Sequence, residues 1–249
     1  MTADEDKAVN NKKRIRVMKN GPYVVEGGIP LVHKTQVVSD QGEPLTWQHD
    51  GPLPGAKSKY LLCRCGKSTT FPLCDGIHRK IGFDGAETAD DSTHEARRFS
   101  MPNATGITVM NDPYLCMESG FCGFADANFA QMVARTRDSK MRALLTAMIE
   151  RCPSGSLSYR MDPQKPDIEP DLPQQIAATT EITADGPIDG PLWVTGSIPV
   201  ERADGQPFET RNRVTLCNCG LSCKKPLCDG AHRKHAEEEA KRQREKDGK

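Results

Sequence analysis

Aromatic residues are scarce in this chain, 5% of 249, and its charges cancel, with 34 Lys and Arg against 34 Asp and Glu. Few aromatics and a mean hydropathy of −0.61 predict thin hydrophobic cores, because aromatic side chains carry the largest apolar area per residue. Zero net charge offers no bulk attraction for nucleic acid. No run of 18 apolar residues occurs, so no membrane span is expected. The acidic start Met1-Thr-Ala-Asp-Glu-Asp lacks the apolar segment of a secretion signal, which predicts a thiol-reducing, cytoplasmic setting. Also missing are a glycine-rich phosphate loop, a dinucleotide fingerprint, a triad and a carboxylate pair, so an enzyme with its own substrate site is not expected. The length allows two or three small domains, and something besides apolar burial must help to hold them.

What the chain does have is a spacing that occurs twice. Cys63-x-Cys65-x8-Cys74-x3-His78 returns as Cys217-x-Cys219-x8-Cys228-x3-His232, each with Gly after the second Cys and each running on through Pro-Leu-Cys-Asp-Gly-x-His-Arg-Lys. Residues i and i+2 of an extended segment point the same way, so a Cys-x-Cys pair can aim two thiolates at one metal. If the segment from Cys74 to His78 turns helical, its two ends share a face. Asp75 suits that entry by accepting orphan backbone N–H groups, and Gly76 permits close approach. Two thiolates on one metal and a thiolate with an imidazole on another describe a [2Fe-2S] centre. One tetrahedral zinc held by three Cys and one His is the competing account. Disulfides are not expected from the 10 cysteines, since the repeat uses Cys and His together.

With Ser68 and Pro72 in the first copy and Ser222, Pro226 and Ala231 in the second, the chain resembles the CDGSH iron–sulfur, or mitoNEET-type, family. The resemblance implies one [2Fe-2S] cluster per copy, held by Cys63, Cys65, Cys74 and His78 and by Cys217, Cys219, Cys228 and His232. It also implies an outer iron bearing the His and a β-cap above the clusters. Ile77 departs from the small residue usual before the His. Its bulk is expected to alter packing and to enclose His78 more than Ala231 encloses His232. Upstream, Asn20-Gly-Pro-Tyr-Val-Val-Glu-Gly-Gly-Ile-Pro-Leu matches Asp189-Gly-Pro-Leu-Trp-Val-Thr-Gly-Ser-Ile-Pro-Val, and short β-branched runs between Gly and Pro read as strands and tight turns. Because relatives pair two copies around a twofold axis, one chain with both copies implies an intramolecular pseudo-dimer.

A third set of cysteines lies between, Cys116-x2-Ser119-x2-Cys122 and then Cys152-Pro153. Bacterial ferredoxins use C-x2-C-x2-C and a distant Cys-Pro, and the stretch resembles the divergent mono-cluster [4Fe-4S] domain that accompanies CDGSH modules. Ser119 takes the middle slot and Glu118 stands where relatives often have His. Cys116, Cys122 and Cys152 are thus expected to hold a [4Fe-4S] cluster, completed by Glu118, Ser119, water or a partner, or else a [3Fe-4S] cluster. Lys140–Arg151 has apolar residues at helical spacing and ends at Cys152-Pro153, so it reads as a helix that seats Cys152.

The expected architecture is α+β, with a CDGSH module over 1–92, a ferredoxin-like βα domain over 93–161, a Pro-rich extended linker over 162–188 and a second CDGSH module over 189–249 ending in a charged helix. Lys7–Lys19 reads as a frayed terminus, His33, His49, His94 and His235 as surface or loop residues, and Cys223 as a small filler near its cluster. The expected function is electron transfer from a low-potential central cluster to the CDGSH pair, since one imidazole raises a cluster's potential above an all-thiolate one. A [2Fe-2S] carrier or a redox or pH sensor is the alternative, a redox component that wires a separate catalytic subunit a third, and a zinc-stabilised interaction module the fallback. The expected partner is a redox protein or an apo acceptor protein, and the expected state a monomer.

Overall fold

In the computed structural model the described residues are 12–123 and 128–248. The first repeat opens with β1 (Arg14–Val17) and β2 (Tyr23–Glu26), an antiparallel pair with Ile15 opposite Val25. It continues through β3 (Leu31–Val38), β4 (Pro44–Pro52) and β5 (Lys59–Leu62), and ends in the short helix α1 (Ile77–Lys80). Arg14–Val17 is therefore a strand and not a frayed end. Ile15 and Val17 alternate inward and are almost fully buried, while Lys7 to Asn11 lie outside the described residues.

The central segment holds α2 (His94–Arg97), β6 (Phe99–Ser100), β7 (Thr108–Asn111), α3 (Phe129–Ala134), α4 (Ser139–Arg151) and β8 (Leu157–Arg160). The three strands form a sheet in the order β6-β7-β8. The helices pack on it through Met132, Val133, Leu145, Met148 and Ile149, against Val109, Leu157 and Tyr159. Asn128 and Gln131 close a reciprocal cap on α3, and the Asp138 carboxylate accepts from Lys140 N at the start of α4. The helix stops at Cys152, as the following proline requires.

The second repeat comprises β9 (Gln175–Thr183), β10 (Gly186–Thr195), β11 (Val200–Glu201), β12 (Arg213–Leu216) and α5 (Ala231–Lys246). Strand β9 and the start of β10 occupy part of the expected linker, so the extended stretch shortens to about residues 162–174. The Ile176-Ala-Ala run and its neighbours are buried on both faces and needed no strict alternation to form a strand.

The two repeats interlock by exchanging a strand. One sheet runs β11-β1-β2-β5 and the other β12-β10-β9-β3-β4, so β1 pairs with β11 of the other copy and β9 with β3 of the other copy. Both exchanges are parallel and of the same register, Ile15 beside Val200 and Ile176 beside Leu31. Ile15 N donates to Pro199 O and Ile176 N to Pro30 O, each at 2.9 Å. This reciprocity is the pseudo-twofold arrangement that the duplication implies. One core joins the copies, with Ile15, Val25, Leu31 and Leu62 beside Ile176, Val194, Val200 and Leu216. The fold is thus mixed α+β, with small CDGSH-type modules flanking a ferredoxin-like region.

Candidate metal centres

Each repeat builds its ligand loop the same way. After β5, Cys63 N donates to Pro72 O and Cys74 N to Leu61 O; after β12, Cys217 N donates to Pro226 O and Cys228 N to Thr215 O, all at 2.8–3.0 Å. These bonds fold the second half of the loop back onto the strand that precedes it. Ser68 Oγ then donates to Leu73 O at 2.6 Å, and Ser222 Oγ to Leu227 O at 2.7 Å. The Asp75 carboxylate accepts from Thr69 N, Thr69 Oγ1 and Ile77 N, and Asp229 accepts from Cys223 N and Ala231 N. Backbone N–H groups of Ile77 and Thr69 hold the Asp75 carboxyl at a pKa of about 2. Gly76 and Gly230 stand at φ 87° and 86° as the residues before α1 and α5, a left-handed conformation that suits glycine. The helices therefore start after the third Cys, and a glycine turn, not a shared helical face, brings Cys and His together.

The expected ligands stand in pairs. Cys63 Sγ and Cys65 Sγ are 3.6 Å apart, as are Cys217 Sγ and Cys219 Sγ, while His Nδ1 lies 3.4 Å from Cys74 Sγ and 3.6 Å from Cys228 Sγ. Donors about 2.3 Å from a tetrahedral metal ion are separated by roughly 3.7 Å, so each pair fits two coordination positions of one ion. Among the described residues no three His, Cys, Asp or Glu groups converge on a single point. All ten cysteines are free. Burial pushes the Cys65 thiol up to about 11 and raises Cys74 and Cys228 as well. Metal binding needs thiolate, so iron would have to supply the charge that deprotonates these groups. The residues present fit iron–sulfur groups, to which they would supply thiolate sulfur and imidazole Nδ1.

Ile77 does not enclose the first site more than the second. His78 and His232 are 8% and 7% exposed, but Cys74 is half-buried where Cys228 is 3% exposed. Burial followed by the neighbouring Arg79 lowers the His78 pKa. A groove of about 470 Å³, lined by Met18, Lys19, Leu61 and Arg79 among others, opens over Cys74 and His78.

The residue between the paired cysteines has a role that its place in the spacing gives no sign of. Arg64 is buried and donates to Met18 O, Gly21 O and Gly85 O. Its counterpart Asn218 donates to Gly190 O at 2.9 Å. Each therefore clips its loop to the β-hairpin of its own copy. Tyr23, fully buried, donates across the copies to Cys217 O at 2.7 Å and also reaches Pro226 O.

The second CDGSH loop lies against both of the others. A Cβ at Gly66 would come within 2.6 Å of Cys219 O, and one at Gly220 within 3.1 Å of Cys65 O. A Cβ at Gly230 would meet Met117 O at 3.0 Å. The second CDGSH loop thus touches both the first loop and the central one.

Cys116, Cys122 and Cys152 line one largely apolar cavity of about 400 Å³, with Ser119 and Ser154 also in its wall. Burial and then the charge of Cys152 and Cys116 push Cys122 up to about 11. Ser154 Oγ is 3.6 Å from Cys152 Sγ, and Ser119 is buried, its carbonyl accepting from Gln36 Nε2. Glu118 is at the cavity wall, but its half-exposed carboxylate lies 3.6 Å from Lys234 Nζ on α5. The geometry therefore turns Glu118 towards the second module.

Residues outside the ligand sets differ from expectation in three places. His94 is buried, its Nδ1 3.0 Å from Asp112, because α2 packs it into a network with Arg97. His33 bonds Asp50 and Thr180 from within β3. Cys223 is exposed and so fills no space beside the cluster.

Residues 20–79 and 189–233 match the family described as iron-binding zinc finger, CDGSH type, and residues 103–162 match the divergent 4Fe-4S mono-cluster family. The fold and these loops define an iron–sulfur protein. In particular, it carries two CDGSH-type segments with one divergent 4Fe-4S mono-cluster domain between them. No curated protein and no solved structure matches the chain. No helix among the described residues is long and apolar enough to cross a membrane.

Proposed function

We propose that the chain is a one-electron carrier of a reducing, cytoplasmic compartment, with a [2Fe-2S] cluster in each CDGSH loop and a [4Fe-4S] cluster at Cys116, Cys122 and Cys152. Such clusters accept and release electrons one at a time. The observation that carries the reading is the contact of the three ligand loops, Gly66 against Cys219 and Gly230 against Met117. The pairing of ligands favours binuclear clusters over one zinc, since a single ion needs all four donors in mutual contact. A redox protein is the expected partner, and the strand exchange within one chain favours a monomer.

The chain's own residues hold thiolates close together, keep water from Cys63, Cys217 and Cys228 by burial, and orient both imidazoles through Nδ1. The open groove over Cys74 and His78 supports a second reading, release of a [2Fe-2S] unit from the first copy to an apo acceptor. Anaerobically purified protein is expected to hold about eight irons, two per CDGSH loop and four in the central cavity. It is expected to be coloured and to bleach on one-electron reduction. Zinc with no visible absorption overturns the proposal. Four irons per chain would restrict it to the CDGSH loops.

A further inference from the structure

The two CDGSH copies share their ligands but not their hairpins. In the first, β1 and β2 end at the pair Val17–Tyr23 and turn through Met18–Pro22, a segment without a carboxylate. In the second, pairing continues past Ala178–Leu192 to Thr180–Asp189, Glu181–Ile188 and Thr183–Gly186. An ion pair between Asp185 at the tip and Arg244 ties this extension to α5. The extension puts Glu181, fully buried, beside the ligand His232.

Glu181 Oε2 is 3.3 Å from His232 Nε2 and 2.5 Å from the Arg233 guanidinium. Glu181 Oε1 and His232 Nε2 are both buried without a hydrogen-bond partner. Buried orphans of opposite need, an acceptor and a ring nitrogen, call for an explanation. With Nδ1 turned to the metal position beside Cys228, the neutral ring must carry its proton on Nε2, and Glu181 is the acceptor within reach. The contact between Nε2 and Oε2, at 3.3 Å, is the closest that the ring makes to the carboxylate. Among the described residues no carboxylate pairs with His78, and the groove over it is lined by Lys19, Asp75 and Arg79.

We infer that Glu181 is a positioning residue for the second cluster, accepting the Nε2 proton of His232, and that it makes the two CDGSH sites electronically unequal. A carboxylate on the far side of a ligating imidazole fixes its ring and raises its basicity. More charge on the imidazole stabilises the oxidised iron, so the second couple lies below the first. Arg233 shares the carboxylate and moderates the effect. This deepens the iron–sulfur reading and rests on it.

The test is a redox titration of the full chain, followed by optical and electron paramagnetic resonance spectroscopy, with His78→Cys used to mark the first couple. Glu181→Gln is expected to raise the second couple alone, by about a tenfold change in its oxidised-to-reduced ratio at fixed ambient potential, or 59 mV for one electron. It is also expected to speed iron loss from that site to a chelator about tenfold. Glu181→Asp should restore part of both effects. Arg233→Gln, which leaves the carboxylate to the imidazole alone, should move the same couple the opposite way. In a His232→Cys background, Glu181→Gln should move neither couple.

An unmoved second couple in Glu181→Gln, equal shifts of both couples, or an effect that persists in His232→Cys would overturn the inference. Should Glu181→Gln fail to assemble, Arg233→Gln decides, and an unchanged or raised second couple there counts against it. Absence of any [2Fe-2S] couple in the unaltered chain would instead overturn the underlying reading, which the same titration shows first.

Discussion

Single residues here act mainly by closing gaps between backbone segments. Gly66 sits at φ 68° with Cys219 backbone 2.6 Å from where a Cβ would stand, whereas Gly28, at φ 65°, has nothing nearby. Both lose left-handed freedom on substitution, but only Gly66 also meets backbone. Gly28→Ala is expected to cost about 1 kcal/mol and Gly66→Ala about 3 kcal/mol or more, measured by thermal unfolding of the holoprotein. Equal losses would mean that the two loops are not pressed together. Tyr23 offers a gentler case. Tyr23→Phe removes one donor from the buried carbonyls of Cys217 and Pro226, a cost of about 1–2 kcal/mol. Because those carbonyls belong to the second ligand loop, the second cluster should be the one lost sooner to a chelator. Arg64 and Asn218 show the same logic within one copy, Arg64 tying its ligand loop to the turn between β1 and β2 and Asn218 tying its own to Gly190 within β10.

Among the elements, β12 carries the most. Its first residue, Arg213, is fully buried, pairs with Glu169 at 3.0 Å and donates to Ile149 O, Glu150 O and Leu157 O. Two of those carbonyls are in the last turn of α4, where Ile149 O also accepts from Cys152 N and a cation is favoured. The next residue after α4 is Cys152, and the strand itself ends just before Cys217. One strand thus braces a ligand of the central cavity and delivers a ligand of the second CDGSH site. Arg213→Met is expected to cost about 2–3 kcal/mol by taking the donor from Glu150 O and the nearest cation from Glu169. Iron analysis of the variant should show loss from the central site first, with the CDGSH absorbance retained. Retention of all iron would argue that Cys152 is held by α4 packing alone.

At the scale of the whole molecule, stability follows from the strand exchange and from charge at its edges. Burial raises the Glu26 carboxyl, but hydrogen bonds from Arg16, Lys59 and Arg14 outweigh it and bring the group from 4.5 to about 2. Glu26 lies on β2, and Arg14 also reaches Glu201 on β11 of the other copy. A carboxyl lowered in the folded state stabilises fully above its unfolded value and loses that contribution as pH falls towards the folded one. The stability gap between the native chain and Glu26→Gln should therefore hold steady from neutral pH down to about 5 and close between about 4.5 and 2. Urea unfolding of both chains at a series of pH values checks this. A gap that widens on acidification would contradict the pairing.

Much of the site was legible in the chain because ligand chemistry demands a residue type at a fixed spacing. The duplicated Cys-x-Cys and Cys-x3-His fixed which residues form each loop, and Cys152-Pro153 marked where α4 stops. Asp75 was readable as an acceptor of backbone N–H groups, as it is towards Ile77 N, whereas the backbone bonds of Ser68 and Ser222 were not read from their place in the spacing. What lay beyond reach depends on contacts between residues distant along the chain. Nothing local in Arg14–Val17 or Gln175–Thr183 says that each strand completes a sheet with the opposite copy. Nor does a carboxylate at Glu181 announce itself as the neighbour of His232, or Arg213 as the cap of α4. Local sequence determined which donors stand where a cluster could be held, because coordination is a matter of spacing and donor type. Only the tertiary structure decided which loops touch and which imidazole meets a carboxylate, because both follow from how two similar sheets exchange strands around one core.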